Sequence, residues 1–192
     1  MILLTKEDIL NNKEFYINEI KSGKVFVYPT DTLLGLGADA TNGQSVAKII
    51  AIKKRQSKPM LVITPSLQWI KNNCVVTPKK YQTIQSKLPG AYSFVVTLKN
   101  KHAIDGAVNN QQDSLGIRIP DCWFTELIAQ ADVPFVATSV NLSGQPSTLK
   151  IADIPKNILD QVDYVIDDEA SLSGQASTII DLRGEERILR GK

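Results

Sequence analysis

Tyr28-Pro29-Thr30-Asp31-Thr32-Leu33-Leu34-Gly35-Leu36-Gly37 is where this 192-residue chain changes from generic core to polar loop. Val25, Phe26 and Val27 ahead of it read as a buried strand, and Pro29 ends that strand because its nitrogen cannot donate to a sheet ladder. Thr30, Asp31 and Thr32 then offer short polar groups at a strand's carboxyl end, where open α/β sheets bind ligands. Gly35 and Gly37 allow close approach of backbone to a ligand. The stretch reads as a phosphate-facing loop. Thr, Asp and Gly also cap and turn strand-to-helix connections with no ligand involved, and neither G-x-G-x-x-G nor G-x-x-x-x-G-K-[ST] is present. These residues alone leave both readings open.

Upstream, Thr5 caps a predicted helix with Ile9, Leu10, Ile17 and Ile20 roughly on one face and Gly23 as its stop; residues 24–28 are the first expected strand. Downstream, Asn42 or Ser45 starts a helix carrying Val46, Ile49, Ile50 and Ile52, which runs into the basic loop Lys53-Lys54-Arg55-Gln56-Ser57-Lys58-Pro59. A short strand at 60–64 follows. Ser66 and Thr77 each cap a helix, the second with Pro78 at its first position. Residues 92–98 are rich in β-formers, whereas 99–114 have no period and read as a flap. Residues 115–119 form a strand with Arg118 planted in it, Asp121 caps a helix carrying Leu127 and Ile128, and 135–138 form a strand that opens into a second polar loop, Ser139 to Ser147. A helix near 154–159 precedes strands at 164–166, 178–182 and 187–189. Strands and helices alternate first and strands dominate late, which predicts a mixed α/β sheet. The near-identical Ser143–Thr148 and Ser173–Thr178 have unlike flanks, so they do not mark an internal repeat.

The length fits a single domain over residues 1–192 with one substantial core, and 43% apolar with 22% charged side chains are ordinary globular values. With 22 basic against 20 acidic side chains the net charge is +2, too balanced for a protein that coats nucleic acid, so an anion site must be local. Cys74 and Cys122 stand far apart outside any C-x-x-C pattern and read as core thiols in a reducing compartment. Charges follow the first four residues too soon for a signal peptide, and no apolar run reaches membrane-spanning length. The expectation is a cytoplasmic protein with no membrane partner.

One histidine, His102, does not make a Ser-His-Asp triad or a multi-histidine metal site, and no protein-ligated metal is expected. Asp31, Asp39, Asp105 and Asp181 lie near loops, but no spacing singles out a catalytic pair. Cationic and hydroxyl chemistry remains. Lys53, Arg55 and Lys58 supply donors at a helix exit, while Arg118 and Arg190 sit in or at the end of apolar strand runs. Burying arginine there costs desolvation that an anionic ligand, or an internal carboxylate, offsets. Ser139, Asn141, Ser143 and Ser147 form a rim of neutral donors and acceptors suited to phosphate, ribose or purine.

The ordered set Pro29-Thr-Asp-Thr-x-x-Gly-Leu-Gly37, Lys53-x-Arg55 with Lys58-Pro59, Gly116-Ile-Arg-Ile-Pro120, Thr138-Ser-x-Asn-x-Ser-Gly144, Ser177-Thr-Ile-Ile-Asp181 and Ile188-Leu-Arg190 resembles the YrdC-like threonylcarbamoyl-AMP synthases over about residues 10–191. The resemblance implies an open, twisted, largely parallel sheet with flanking helices lining a deep basic cavity. It implies a nucleotidyltransferase that turns L-threonine, bicarbonate or carbon dioxide, and ATP into threonylcarbamoyl-adenylate and pyrophosphate, with magnesium on the triphosphate. Partner proteins then transfer the group to the adenosine next to the anticodon of certain tRNAs. Carried over by position, Thr32, Arg118, the backbone at Ala137, and Thr178 correspond to threonine contacts. Arg55, Lys58, Ser93, Ser139, Asn141, Ser147 and Arg190 correspond to ATP contacts, and Lys53 joins Arg55 in a catalytic basic rim. Leu34, Gln56, Ala91 and Ala176 depart from the common pattern. The extra C-terminal domain of longer family members is expected to be absent. The rival reading is an RNA-binding module whose basic rim meets phosphates without chemistry.

Overall fold

The computed structural model describes residues 1–54, 58–168 and 172–191. In chain order its elements are β1 (Ile2–Thr5), α1 (Lys6–Asn11), α2 (Lys13–Lys21), β2 (Phe26–Tyr28), β3 (Gly35–Gly37), α3 (Gly43–Ile52), β4 (Leu61–Ile63), α4 (Leu67–Asn73), β5 (Cys74–Val75) and α5 (Pro78–Gln85). Then follow β6 (Tyr92–Leu98), β7 (Ser114–Arg118), α6 (Phe124–Ala131), β8 (Phe135–Ser139), α7 (Lys156–Leu159), β9 (Tyr164–Asp167), β10 (Thr178–Asp181) and β11 (Arg187–Arg190). The strands form one mixed sheet in the order β1-β9-β2-β3-β8-β4-β7-β6-β10-β11, with β5 paired to β6. Parallel ladders join β1 to β9, β2 to β9, β4 to β7 and β6 to β10. Antiparallel ladders join β2 to β3, β3 to β8, β4 to β8, β5 to β6, β6 to β7 and β10 to β11.

Alternation along the strands sorts side chains onto the two faces. Val27, Leu36, Val62, Ile117, Val136, Val165 and Ile180 pack on one face with Val46 and Ile49 of α3, Ile70 of α4, Ile84 of α5 and Ile158 of α7. Phe26, Tyr28, Ile63, Phe135 and Ile166 pack on the other with Ile9, Tyr16 and Ile20 of α1 and α2, and with Phe124, Leu127 and Ile128 of α6. That second core is aromatic: Tyr28 stacks on Phe124 with ring centroids 4.7 Å apart, and Phe26 on Tyr164 at 4.9 Å.

Several local expectations hold. Thr5 caps α1 in a reciprocal capping box with Asp8, Asn42 caps α3, Ser66 caps α4, and Thr77 caps α5 with Pro78 in its first turn. Others are corrected. The first helix is two, because Asn12 leaves helical geometry at φ −125° and its side-chain amide donates to the Asp8 carbonyl. Asp121 does not cap α6; Trp123 precedes that helix with no side-chain cap, and the Asp121 N–H donates to Asp31. Residues 99–114 are no flap: Ile104, Val108 and Asn109 are buried, Asp105 N–H donates to the Ala40 carbonyl, and Met60 N–H donates to that of Val108. β1, β3 and β5 are strands that the sequence did not announce, each only two to four residues long.

Candidate active site

A cavity of about 290 Å³ opens on the α6 side of the sheet. Strand alternation places its walls. Leu61, Arg118, Ala137 and Ile179 line it while their neighbours Val62, Ile117, Val136 and Ile180 fill the opposite core. Gly35 also lines it, but its lack of a side chain serves the protein rather than a ligand. A Cβ on Gly35 would lie 2.5 Å from the Tyr28 ring, and one on Gly37 2.0 Å from the Val136 carbonyl oxygen. The two glycines let aromatic rings press against β3.

The loop after β2 is wound around Thr30. Its Oγ1 accepts the N–H groups of Thr32 and Leu33, each at 3.1 Å, and donates to the Leu33 carbonyl at 2.7 Å. The Thr32 hydroxyl therefore donates to Thr30 Oγ1 at 3.0 Å, leaving its lone pairs toward Arg118, whose Nη1 donates to it at 3.3 Å. Arg118 Nη2 donates to Asp31 Oδ1 at 2.6 Å, and the other oxygen of Asp31 accepts the Asp121 N–H at 3.2 Å. Both side chains of this ion pair are about nine-tenths buried. Arg118 Nε is buried from solvent and has no acceptor among the described residues.

A second group of residues hangs on Lys53. This lysine is 1% exposed, and its Nζ donates to the Ser139 carbonyl at 2.5 Å, the Asn141 carbonyl at 2.8 Å and Asn141 Oδ1 at 3.1 Å. The Lys53 carbonyl accepts the Ser143 N–H at 3.0 Å, and Ser139 Oγ donates to Asn141 Oδ1 at 2.6 Å. Lys53 thus shapes the loop that carries Ser139 instead of standing on a rim. A third group is built on the β10–β11 hairpin. Arg190 Nε and Nη2 donate to the Ser177 carbonyl at 3.2 and 3.0 Å, and Ser177 Oγ contacts Ser93 Oγ at 2.8 Å. Partial burial, then the like charge of Arg118, lowers the Arg190 pKa from its ordinary value. The hairpin is clasped by Asp181, which accepts from Arg183 Nε at 2.9 Å and Nη2 at 2.7 Å. The Arg183 side chain holds the Asp181 carboxyl at about 2 despite burial.

Of the residues singled out from sequence, Thr32, Arg118, Ala137, Ser139, Ser147 and Arg190 line the cavity. Ser93 and Asn141 are buried behind Ser177 and Ser139 as supports. Lys58 is exposed, and its neighbour Pro59 is the residue on the wall. Thr178 is not on the wall: it starts β10 on the face of Ile180, its Oγ1 lies where a Cβ on Gly191 would be 2.4 Å away, and Ser177 takes the cavity side. Arg55 lies outside the described residues. Sequence reasoning missed the roles of three residues it had named: Asp31 as the partner of Arg118, Thr30 as the centre of its loop, and Ser177 as the wall residue. The two-residue period of 177–181 carried the signal for Ser177, since Ile180 is core.

Both cysteines are free, and burial pushes the Cys74 thiol up to about 12 and raises that of Cys122, so neither is a nucleophile at neutral pH. His102 lies in an exposed helical turn outside the cavity lining. Among the described residues no helix is long and apolar enough to cross a membrane, and no cluster of three or more His, Cys, Asp or Glu is placed to hold a metal ion.

The family model for Sua5, YciO and YrdC, described as telomere recombination, matches residues 18–191. A protein named putative threonylcarbamoyl-AMP synthase from Methanocaldococcus jannaschii is 34% identical over 187 residues, which is 96% of this chain and 87% of that protein. A threonylcarbamoyl-AMP synthase from Vibrio parahaemolyticus is 25% identical over 95% of this chain and 100% of its own length. Among solved structures, P. abyssi Sua5 complexed with L-threonine superposes with a TM-score of 0.86 at 22% identity, over 98% of this chain and 56% of that one. This chain therefore spans just over half of that Sua5. E. coli YciO superposes with a TM-score of 0.83 at 20% identity, over 98% of this chain and 93% of its own. With the family model and a 34% identical relative matched over nearly the whole length, the chain belongs to the Sua5/YciO/YrdC family.

Proposed function

We propose that this protein joins L-threonine, bicarbonate or carbon dioxide, and ATP into threonylcarbamoyl-adenylate with release of pyrophosphate. The product supplies the group that modifies tRNA adenosine next to the anticodon. The observation that carries this reading is the pairing, in one cavity, of a charge-compensated Arg118 beside the Thr32 hydroxyl with an Arg190 that has no carboxylate partner among the described residues. The first suits an amino-acid carboxylate and the second a nucleotide phosphate. The relatives' name, threonylcarbamoyl-AMP synthase, supports the same assignment.

In this mechanism the threonine amine adds to carbon dioxide and loses a proton, giving a carbamate. A carbamate oxygen attacks the α-phosphorus of ATP, and the bond to the bridging oxygen breaks as pyrophosphate leaves. No covalent enzyme intermediate is needed. The Arg118 guanidinium, with Thr32, the Ala137 backbone and Ser177, orients the amino acid. Ser139, Ser147, Arg190, Lys58 and Arg55 hold the nucleotide, and Lys53, Asn141 and Ser93 hold them in place. Positioning and charge stabilisation then carry the rate. Magnesium fits as an ion brought on the triphosphate, since the described residues offer no cage of their own. Downstream proteins consume the adenylate.

Purified protein incubated with ATP, isotope-labelled bicarbonate and L-threonine should yield threonylcarbamoyl-adenylate by mass spectrometry. Serine in place of threonine should give much less. No threonine-dependent product would refute the assignment.

A further inference from the structure

Asp31 stands between Thr30 and Thr32, yet those two residues line the cavity and Asp31 does not. Its carboxylate is engaged by the protein: Oδ1 accepts from Arg118 Nη2 at 2.6 Å, and Oδ2 accepts the Asp121 N–H at 3.2 Å. The loop sets this up. Thr30 Oγ1 draws in the N–H groups of Thr32 and Leu33, a tight turn that brings the Thr32 hydroxyl and the Asp31 carboxylate to different amino groups of one guanidinium. Each of those amino groups retains a second N–H, and Arg118 is on the cavity wall. Asp31 therefore leaves Arg118 able to donate while changing the charge that a ligand meets.

Charge matters because the cavity holds two arginines, Arg118 and Arg190, and on the synthase reading it admits a triphosphate and releases pyrophosphate in every cycle. A buried guanidinium with no counter-ion would be a strong phosphate site, since the arginine fork matches phosphate as well as carboxylate. Phosphate held at Arg118 would block the amino acid. With Asp31 paired to it, and both side chains about nine-tenths buried, the Arg118 end is close to neutral. Threonine is a zwitterion, so its own ammonium offsets the second carboxylate that it brings to this guanidinium. Phosphate and pyrophosphate carry no such cation, and their charges face the Asp31 carboxylate across a single side chain. At such spacing in a partly buried site, like-charge repulsion amounts to about ten- to a hundredfold in affinity. Arg190 is the contrast: it donates to the Ser177 carbonyl and has no carboxylate partner among the described residues.

We propose that Asp31 is a specificity-determining residue that acts through Arg118: it reserves the amino-acid end of the cavity for a zwitterion by excluding phosphate and pyrophosphate. The assignment rests on the synthase reading, which puts threonine at Arg118. A purely structural ion pair would hold Arg118 in place without altering which anions it accepts.

The test is isothermal titration calorimetry on the purified full chain, with threonine titrated in the presence and absence of inorganic phosphate or pyrophosphate, and with phosphate titrated alone. Wild type should bind threonine with an apparent Kd that phosphate leaves unchanged. Asp31→Asn should bind threonine about tenfold more weakly, the size of a lost charge-assisted hydrogen bond. Phosphate and pyrophosphate should now compete with threonine, with an affinity about ten- to a hundredfold above that for the wild type. Loss of the fold cannot produce such a gain. Asp31→Glu keeps the charge and disturbs the geometry, so its threonine affinity should fall while phosphate still fails to compete. The double variant D31N/R118A should lose the gained phosphate affinity, which places the new site at Arg118 and not at Arg190. In turnover without added phosphate, Asp31→Asn should raise KM for threonine and leave KM for ATP unchanged.

Equal phosphate sensitivity in wild type and Asp31→Asn would overturn the proposal. So would displacement of threonine from the wild type by phosphate, or a gain in Asp31→Glu as large as in Asp31→Asn. Should Asp31→Asn not fold, the wild-type and Asp31→Glu titrations still decide, since both must be indifferent to phosphate. If the wild type binds no threonine, the synthase reading fails, and phosphate titrated alone into wild type and Asp31→Asn still measures the exclusion.

Discussion

Arg118 ends an interior strand, buried, with the carboxylate of Asp31 on one amino group and the Thr32 hydroxyl on another. Arg190 ends the edge strand β11, exposed, leaning on a backbone carbonyl, with no carboxylate partner among the described residues. The charge of the first is cancelled inside the protein, so it offers a ligand directed hydrogen bonds more than net attraction. The charge of the second is left over, and it sits in the field of the first. One cavity thus separates recognition of shape from attraction of charge, as a substrate pair of one zwitterion and one polyanion requires.

The comparison breaks most visibly at the interior residue. Arg118→Ala leaves Asp31 as an unpaired buried carboxylate and should cost about 3–5 kcal/mol of stability. It should also lower threonine-dependent turnover by about 10²–10³. An unfolding free energy within about 1 kcal/mol of the wild type would show that the pair is not a sealed one. Arg190→Ala should hardly change stability, yet it should raise KM for ATP about ten- to a hundredfold, the size of a lost charge-assisted hydrogen bond, with KM for threonine unchanged. An equal rise for both substrates would erase the distinction.

The smallest effect tests the support of the edge residue. In Asp181→Asn the clasp on Arg183 is lost, which should cost on the order of 1 kcal/mol at neutral pH. Because the folded carboxyl titrates at about 2, below an unfolded value of about 3.9, its contribution is complete above about pH 4 and fades as pH falls toward 2. Wild type and variant should therefore differ in urea midpoint at pH 7 and converge near pH 2. A gap that persists at low pH would place the effect elsewhere.

The helices α3, α4 and α5 were legible because side chains spell their starts, and strands β6 to β8 because their apolar runs are long enough to show. β1, β3 and β5 were not. Two or three residues carry no measurable period, and β1 exposes Ile2 and Leu3, so its place beside β9 comes from a partner far along the chain. The candidate site was legible as motifs, and six of its residues meet in the cavity. What the motifs lacked was direction. Thr178 and Ser177 are adjacent in sequence but face opposite sides of the sheet, and Lys53 looks like a rim cation until its ammonium is found beneath a loop. Arg118 was open between a ligand and an internal carboxylate, and Asp31 now answers for the carboxylate while the residue still lines the cavity.

Lys53 grips the loop after β8 at two places, with its ammonium on Ser139 and Asn141 and its own carbonyl on Ser143. A strap fastened at both ends to a single link cannot hinge about that link. The loop and the end of α3 move as one bracket, so any adjustment to substrates of different size falls to the opposite jaw, the hairpin bearing Ser177 and Arg190.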